Sequence, residues 1–472
     1  MRQGSCSRKL LQPPCVELRR LAGGLPRREN QQLWDWLDQS IEFPPPRQQQ
    51  FAATASAMGL SLTQLGVLLS IVLGAAAPAR STIGRWIDAA CAKATAVLAV
   101  LDRACCRLAL SLCLDEIFFR RQPVLVGVEP ASMAWLIGQR AADRSGATWF
   151  QTLQPWDQLE LVVADGGTGM QNGLKQLNES RAACERAAIE VGLDVFHTQK
   201  EALPVVLRKW KSAEAVWEKA EAADRSVARA QAQGQDARGT AAAARAAWTR
   251  AEQAFHAAEA TEATWRRAEA ALELFRPDGT LNDRCAAEAE LEAVRALLAG
   301  DEWAKVRRML ADARTLTFLD RMHRQLAEAE PNETLRRELA RLWWMRRERR
   351  RKPEAALWHS RIAVQQALCA RLNAGWRESY VRVARVLRGT VRASSVVECM
   401  NSVLRMHQSR HRHVSQGMLD LKRLYWNCRA FREGRRRGRS PYAHLGLPVG
   451  GDDWWTVLNT DPATLAQKLS TP

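Results

Sequence analysis

Three acidic residues stand in places where a carboxylate needs a reason. Asp115 interrupts the apolar run LCLDEIFF, Asp165 closes LELVVAD directly before Gly166-Gly167, and Glu398 is the sole charge in SSVVECMNS. A carboxylate inside a buried strand is costly unless a cation compensates it. Carboxylates that converge repel one another, and bound divalent cations are the usual remedy; a ligand set made only of oxygen favours Mg²⁺ or Mn²⁺. Glu116 points to the face opposite Asp115, because side chains alternate along a strand, and is the weaker ligand candidate. Gly166-Gly167-Thr168-Gly169 is rich in glycine but lacks the Lys-Ser/Thr of a phosphate loop, which argues against a nucleoside triphosphatase.

These acids require a scaffold. LALSLCLDEIFF and PVLVGVEPASMAWLIGQ alternate or run apolar over strand lengths, so three strands are expected near 109–117, 123–129 and 132–138. A helix over 143–157, a fourth strand ending at Asp165, a helix from Met170 and a fifth strand over 192–198 complete a mixed α/β sheet. Residues 201–390 read as almost wholly helical. Trp210 and Trp217, then Trp248, Phe255, Ala258 and Trp265, recur at heptad-like spacing on either side of GQDARG, which predicts an antiparallel helical hairpin. These tryptophans suit helix crossings; Trp343-Trp344 and Trp358, near RRERRRK, are the exceptions to check.

Upstream, Trp34 and Trp36 read as packing anchors in a polar lead, and Pro44-Pro45-Pro46 as a linker. Ser61 is placed to cap a helix carrying Leu62, Leu65, Val67, Leu68 and Leu69. Ser81 is placed to cap a second helix with Ile83, Trp86 and Ile87 inward and Thr82, Gly84 and Arg85 exposed. That outlines a helix-turn-helix, or equally an ordinary helical hairpin. The expected division is a lead over 1–50, the helix-turn-helix over 51–105, the sheet's first part over 106–200, a helical insertion over 201–390, a final basic helical part over 391–447, and a tail over 448–472 that contains Trp454-Trp455.

The 472 residues carry 69 Lys+Arg against 51 Asp+Glu, a net +18, with 47% apolar residues, which describes a globular basic protein. The charge is segregated: residues 336–439 hold 27 Lys+Arg and 7 Asp+Glu, a local +20. Such asymmetry suits a polyanion partner, and Arg forks onto phosphate through two parallel hydrogen bonds; a solvated charged face is the plainer reading. The candidate contacts are Arg85, Arg346, Arg347, Arg349, Arg350, Arg410, Arg412, Arg435, Arg436 and Arg437. His407, His411 and His413 lack Cys or carboxylate at ligand spacing and read as a basic helix end facing DNA. The longest apolar run, 66–79, is too short to span a bilayer and is broken by Ser70 and Gly74, and the first residues lack a signal-peptide core. Eleven scattered cysteines, none spaced CxxC, read as reduced thiols of a cytoplasmic protein.

The order of these features, with Asp115 on strand one, Asp165 after strand four and Glu398 on a late helix, resembles the ribonuclease H-like fold of DDE transposases. Asp194-Val195-Phe196-His197 is similar to the (C/D)xxH motif of many such proteins. Glu398 to Arg405, ECMNSVLR, looks like the E…N…R helix of insertion-sequence transposases, and Tyr425 to Leu445, YWNCRAFREGRRRGRSPYAHL, resembles their ending. The helical block has the place of the insertion domain of hAT-type enzymes, although its coiled-coil character departs from the pattern. The resemblance covers about Leu60 to Leu447 and names no narrower subfamily.

It implies two Mg²⁺ or Mn²⁺ ions about 4 Å apart, with Asp115 bridging both, Asp165 holding one and Glu398 the other. Water is then the first nucleophile at a transposon end and the freed 3′-hydroxyl the second. Asp194 and His197 are expected to orient a ligand or the scissile phosphate. Asn401 and Arg405, three and seven residues after Glu398 on one helical face, are expected to contact the flanking phosphate. Expected partners are transposon-end and target DNA and a second copy of the chain, with no membrane and a cytoplasmic, nucleoid-associated location. The alternatives are a domesticated or decayed DNA-binding protein without catalysis, and a helical scaffold in which the acids are incidental.

Overall fold

A computed structural model describes residues 43–351, 357–409, 413–449, 451 and 453–470. Trp34, Trp36, Arg410, His411 and Arg412 lie outside the described residues. The chain divides into two compact units. The first comprises the residues up to Glu160, Thr168–Ala188 and those from Val396 on; the second comprises Leu161–Gly167 and Ile189–Ser395.

The first unit opens with helix α1, Pro45–Ala57. The triple proline starts this helix and is not the linker expected, because proline fits the first turn, where its missing N–H is not needed. Helix α2, Leu62–Leu73, has the cap expected at Ser61: its hydroxyl accepts from the Gln64 amide, and the Gln64 side chain accepts from the Ser61 amide. Helix α3, Arg80–Cys105, begins before Ser81, on Ala79, with no side-chain cap. Ile83 and Ile87 are buried, Trp86, Thr82 and Gly84 are half-buried, and Arg85 is exposed.

Strands β1 (Ser111–Phe119), β2 (Gln122–Glu129) and β3 (Ala134–Arg140) form two antiparallel hairpins, with Asp115 opposite Val126 and Val126 opposite Gly138. The second hairpin's turn is held by the Glu129 carboxylate, which accepts from the amides of Ala131 and Ser132. Strands β4 (Leu161–Ala164) and β5 (Glu190–Leu193), in the second unit, are parallel. The mixed five-stranded sheet has the order β3-β2-β1-β4-β5. Helices α4 (Gly146–Leu153) and α5 (Thr168–Ala183) approach closely: a Cβ on Gly173 would meet Trp149 Cβ at 2.6 Å and the Gly146 carbonyl at 2.8 Å.

The second unit carries the expected hairpin, α6 (Val195–Ala232) against α7 (Arg238–Ala271). At 1.5 Å per residue α6 is about 57 Å long. Trp217 meets Trp248 edge-on at 4.8 Å and Trp210 meets Phe255 at 5.2 Å, while Ala220, Ala247 and Ala251 bring the backbones together. Helices α8 (Arg284–Leu297), α9 (Ala304–Ala311), α10 (Thr317–Ala329), α11 (Glu333–Arg351), α12 (Leu357–Leu372) and α13 (Trp376–Gly389) complete it. Trp343 stacks on Phe275 in this core and Trp344 meets Trp358 edge-on, so these three tryptophans pack with the rest.

Helices α14 (Ser395–Gln408) and α15 (Gln416–Cys428) return the chain to the first unit, followed by α16 (Pro441–Leu445), α17 (Trp454–Asn459) and α18 (Pro462–Ser470). The segment expected as a tail is folded: Trp454, Val457, Leu458 and Leu465 are buried, and Trp454 lies edge-on to Tyr425 at 5.3 Å.

Helix α15 also closes the open edge of the sheet. An edge strand leaves backbone donors and acceptors unpaired, and here polar side chains of the helix take them. The Asn427 amide accepts from Trp135 N–H and donates to Trp135 C=O, both at 2.8 Å. Gln416 accepts from Arg140 N–H and donates to Gly138 C=O, and Arg423 donates to Leu136 C=O. Arg423 also binds Asp102 of α3 at 2.7 Å, and Thr95 binds Asp420 at 2.8 Å. The nine described cysteines are thiols, and burial pushes that of Cys91 up to about 12, so it stays protonated at neutral pH. No helix among the described residues is long and apolar enough to cross a membrane. Asn427→Ala orphans a buried N–H and C=O at about 1–3 kcal/mol each, so urea unfolding should show a loss of about 2–6 kcal/mol.

Candidate active site

Asp115 and Glu398 are the two predicted acids of the first unit; Asp165, Asp194 and His197 belong to the second. Asp115 is half-buried in the middle of β1, and its Oδ1 accepts from the Glu116 amide at 2.7 Å. Glu116 faces the other way, as strand alternation requires: its carboxylate accepts from the Trp149 indole at 3.0 Å and pairs with Arg144 at 3.2 Å.

What reaches Asp115 is the helix that bears Glu398. Asn401 is fully buried, and its Nδ2 donates to Asp115 Oδ2 at 2.6 Å. Further along, Gln408 donates to the Phe118 carbonyl and the His407 ring lies 6.2 Å from that of Phe119. The spacings agree. Seven residues of helix rise about 10 Å and three residues of strand about 10 Å, so α14 runs alongside β1 in the same direction. Glu398 sits one turn before Asn401 on the neighbouring surface of the helix. Val397, Met400 and Leu404 are buried with Asn401 and anchor that face.

Asn401 and His407 therefore correct two expectations. Both are inward-facing, not laid against solvent for a phosphate or a DNA backbone, because they fall on the apolar stripe of α14. Arg405 is exposed, as expected, and its Nη1 donates to Glu398 Oε2 at 3.1 Å.

Asp165 directly follows β4, half-buried, and its Oδ1 accepts from the Gly167 amide at 3.0 Å. The fifth strand is shorter than expected, because Asp194 ends it by capping α6: its carboxylate accepts from the Phe196 amide at 2.9 Å. The same carboxylate accepts from the amide and hydroxyl of Ser394, the residue just before α14. Asp194 thus holds the entry to the helix that bears Glu398. His197, in the first turn of α6, lies 3.8 Å from Glu201.

The expected DNA-contacting arginines divide by burial. Arg350, Arg435 and Arg437 are exposed; Arg85 is exposed and donates to the Thr82 hydroxyl; Arg349 is half-buried. Arg346 lies over Tyr380, 4.5 Å from the ring centroid, and Arg347 over Trp343 at 5.8 Å. Arg436 donates to the carbonyls of Pro130 and Ala131, fastening the β2–β3 turn, which gives it a structural task in place of the expected phosphate contact.

Among the described residues, no group of three or more His, Cys, Asp or Glu side chains is placed to hold a metal ion. Carboxylate and amide oxygens are the kind of donor that a hard divalent cation takes. Asp115 and Glu398 offer carboxylate oxygens, and Asn401 Oδ1 is buried without a hydrogen-bond partner. The signal for Asn401 was present in the sequence: an amide on the apolar stripe Val397, Met400, Leu404 must find a buried partner.

Asn401→Ala should cost about 1–3 kcal/mol of stability in chemical denaturation, and a double-mutant cycle with Asp115→Ala should return a coupling of about the same size. Purely additive effects would show that the two side chains do not interact. No protein-family model, no curated protein and no solved structure matches this chain.

Proposed function

We propose that the protein is a DNA transposase of the DDE type, with a ribonuclease H-like catalytic core, cleaving phosphodiesters at element ends and joining the freed 3′-hydroxyl to target DNA. One observation carries this reading: the Asn401–Asp115 hydrogen bond, which lays the helix of Glu398 along the strand of Asp115. A late helix packed elsewhere would have separated the two acids. The chain order of three strands, helix, strand, helix, strand supports it as well, and so does the exposed arginine of the last third.

As the resemblance implies, Asp115, Glu398 and Asp165 would be the residues to hold Mg²⁺ or Mn²⁺, expected as two ions. Bound there, the cations would supply charge stabilisation to the attacking and leaving oxygens of an in-line displacement. The chain's own part is to aim carboxylates. Asn401 fixes the rotamer of Asp115 through a donor to Oδ2, while Oδ1 accepts from the Glu116 amide. Asp194, through Ser394, sets where α14 begins. Exposed Arg350, Arg435 and Arg437 offer phosphate contacts that add affinity without sequence information. Pairing of two DNA ends calls for a second copy of the chain.

The second reading, a DNA-binding protein without catalysis, is favoured by one feature: Glu398 is engaged by Arg405.

The test is nicking of a plasmid that carries the gene with the DNA on either side of it. Wild-type protein should nick it in Mg²⁺ and not in EDTA. Asp115→Asn, Asp165→Asn and Glu398→Gln should each lose at least about 100-fold in rate while retaining DNA binding. Unchanged cleavage in all three variants would remove the enzymatic assignment.

A further inference from the structure

One face of α6 carries a coiled-coil pattern that the chain itself covers only in part. Leu203, Leu207, Trp210, Glu214 and Trp217 follow one another at spacings of four, three, four and three, which is the seam of a heptad repeat. Ala202, Val205 and Val206, on the other side of the helix, are buried in the core of the second unit. The seam residues face outward: Leu203 is 53% exposed and Leu207 56%.

Helix α7 reaches this seam from one side. Phe255 lies 5.2 Å from Trp210 and 6.0 Å from Trp217, yet Trp217 and Phe255 stay 38% and 37% exposed. The indole N–H groups of Trp210 and Trp248 donate to Glu262 and Asp224, so what these two rings still offer is apolar surface. Aromatic side chains grouped in this way are enriched where proteins meet.

The charges beside the seam indicate what lies against it. Lys200 and Lys211 flank its first half, Glu214, Glu218 and Glu221 its second half, and all five are exposed. On a helix of 3.6 residues per turn they fall within about 80° of arc. A face that is basic at one end and acidic at the other complements itself when a second copy lies antiparallel, because the two-fold axis sets each basic end beside an acidic end. The middle of the Lys200–Glu221 interval falls at Trp210 and Lys211, and Trp210 is also midway between Leu203 and Trp217. The chain carries +18 in all, but residues 195–271, which form the hairpin, hold 12 Lys+Arg and 10 Asp+Glu, so two copies can meet there with little repulsion. A lipid surface is the poorer match, since it selects an excess of Lys and Arg beside the apolar stripe.

We propose that this face of α6 is a homodimer interface, on which two copies pack antiparallel about a two-fold axis near Trp210 and their α6–α7 hairpins form a four-helix bundle. Leu203 and Leu207 of each copy lie against the Trp210–Trp217 stretch of the other, and the Lys200 end of each lies beside the Glu221 end. Glu221 already pairs with Arg225 of its own helix at 3.6 Å, an exposed pair that resists a new partner only weakly. The contact is small, so the dimer is weak and depends on concentration. The inference rests on this surface and not on the proposed function, although such a dimer would supply the second copy which that function calls for.

The experiment is sedimentation equilibrium of the full chain, without DNA or metal ion, from about 1 to about 100 µM, where a contact of this size forms and dissociates. The average mass should rise from that of one chain toward that of two. Leu207→Glu puts an acid into the apolar half of the seam and should weaken the dimer at least about tenfold. Glu forms helix well at an exposed position, and unchanged thermal melting at the lowest concentration would exclude misfolding. Lys200→Glu and Glu221→Lys should each weaken the dimer about threefold, and the double variant should return to the wild-type constant.

A chain that keeps the mass of one copy throughout refutes the homodimer. A dimer that forms as well in Leu207→Glu is held by another surface, which refutes the seam. If Leu207→Glu dissociates the dimer but the double charge variant is no tighter than the single ones, the antiparallel arrangement is wrong. None of these outcomes bears on plasmid nicking, which tests the function separately.

Discussion

A single buried contact organises the candidate site: the side-chain amide of Asn401 on the carboxylate of Asp115. A half-buried carboxylate in an apolar strand must be compensated, and an amide on an apolar helical stripe must find an acceptor. Each residue answers the other's requirement across 286 positions of sequence. Because α14 is also anchored at its far end, through Gln408 and His407, the contact fixes both the position and the direction of the helix along β1. The place of Glu398 follows from that.

The same logic explains part of the positive charge. Lys422 is 2% exposed and donates to the carbonyls of Ser56 and Ala57; Arg423 serves Leu136 and Asp102; Arg436 serves the β2–β3 turn. These cations are donors to buried carbonyls and carboxylates, which need long side chains bearing several N–H groups. The excess of arginine over residues 336–439 is therefore of two kinds, one fastening the fold and one facing solvent. Only the second is open to a polyanion.

The strands around Asp115 and the α6–α7 hairpin were legible in the sequence. Alternation in LCLDEIFF and PVLVGVEP, and tryptophans at heptad-like spacing, are local signals with one structural outcome each. The acids at the middle of β1 and the end of β4 stood out because burial makes a carboxylate costly. The misreadings came from residues that serve a helix start or a distant partner. Pro44-Pro45-Pro46 looked like a linker and opens a helix; Asp194 looked like part of a strand and caps α6 while gripping Ser394. Trp454 looked like part of a tail and packs on Tyr425.

Sequence alone determined what each short segment can do: its period, its turns, and which positions carry a charge that burial would penalise. Tertiary structure decided which of those charges meet. Whether Asn401 turns to solvent or to Asp115, and whether Arg436 faces a phosphate or a backbone carbonyl, depends on pairings far apart along the chain. Propensity acts over a turn or two, whereas a hydrogen bond forms between whatever groups the packed core leaves within 3 Å of each other.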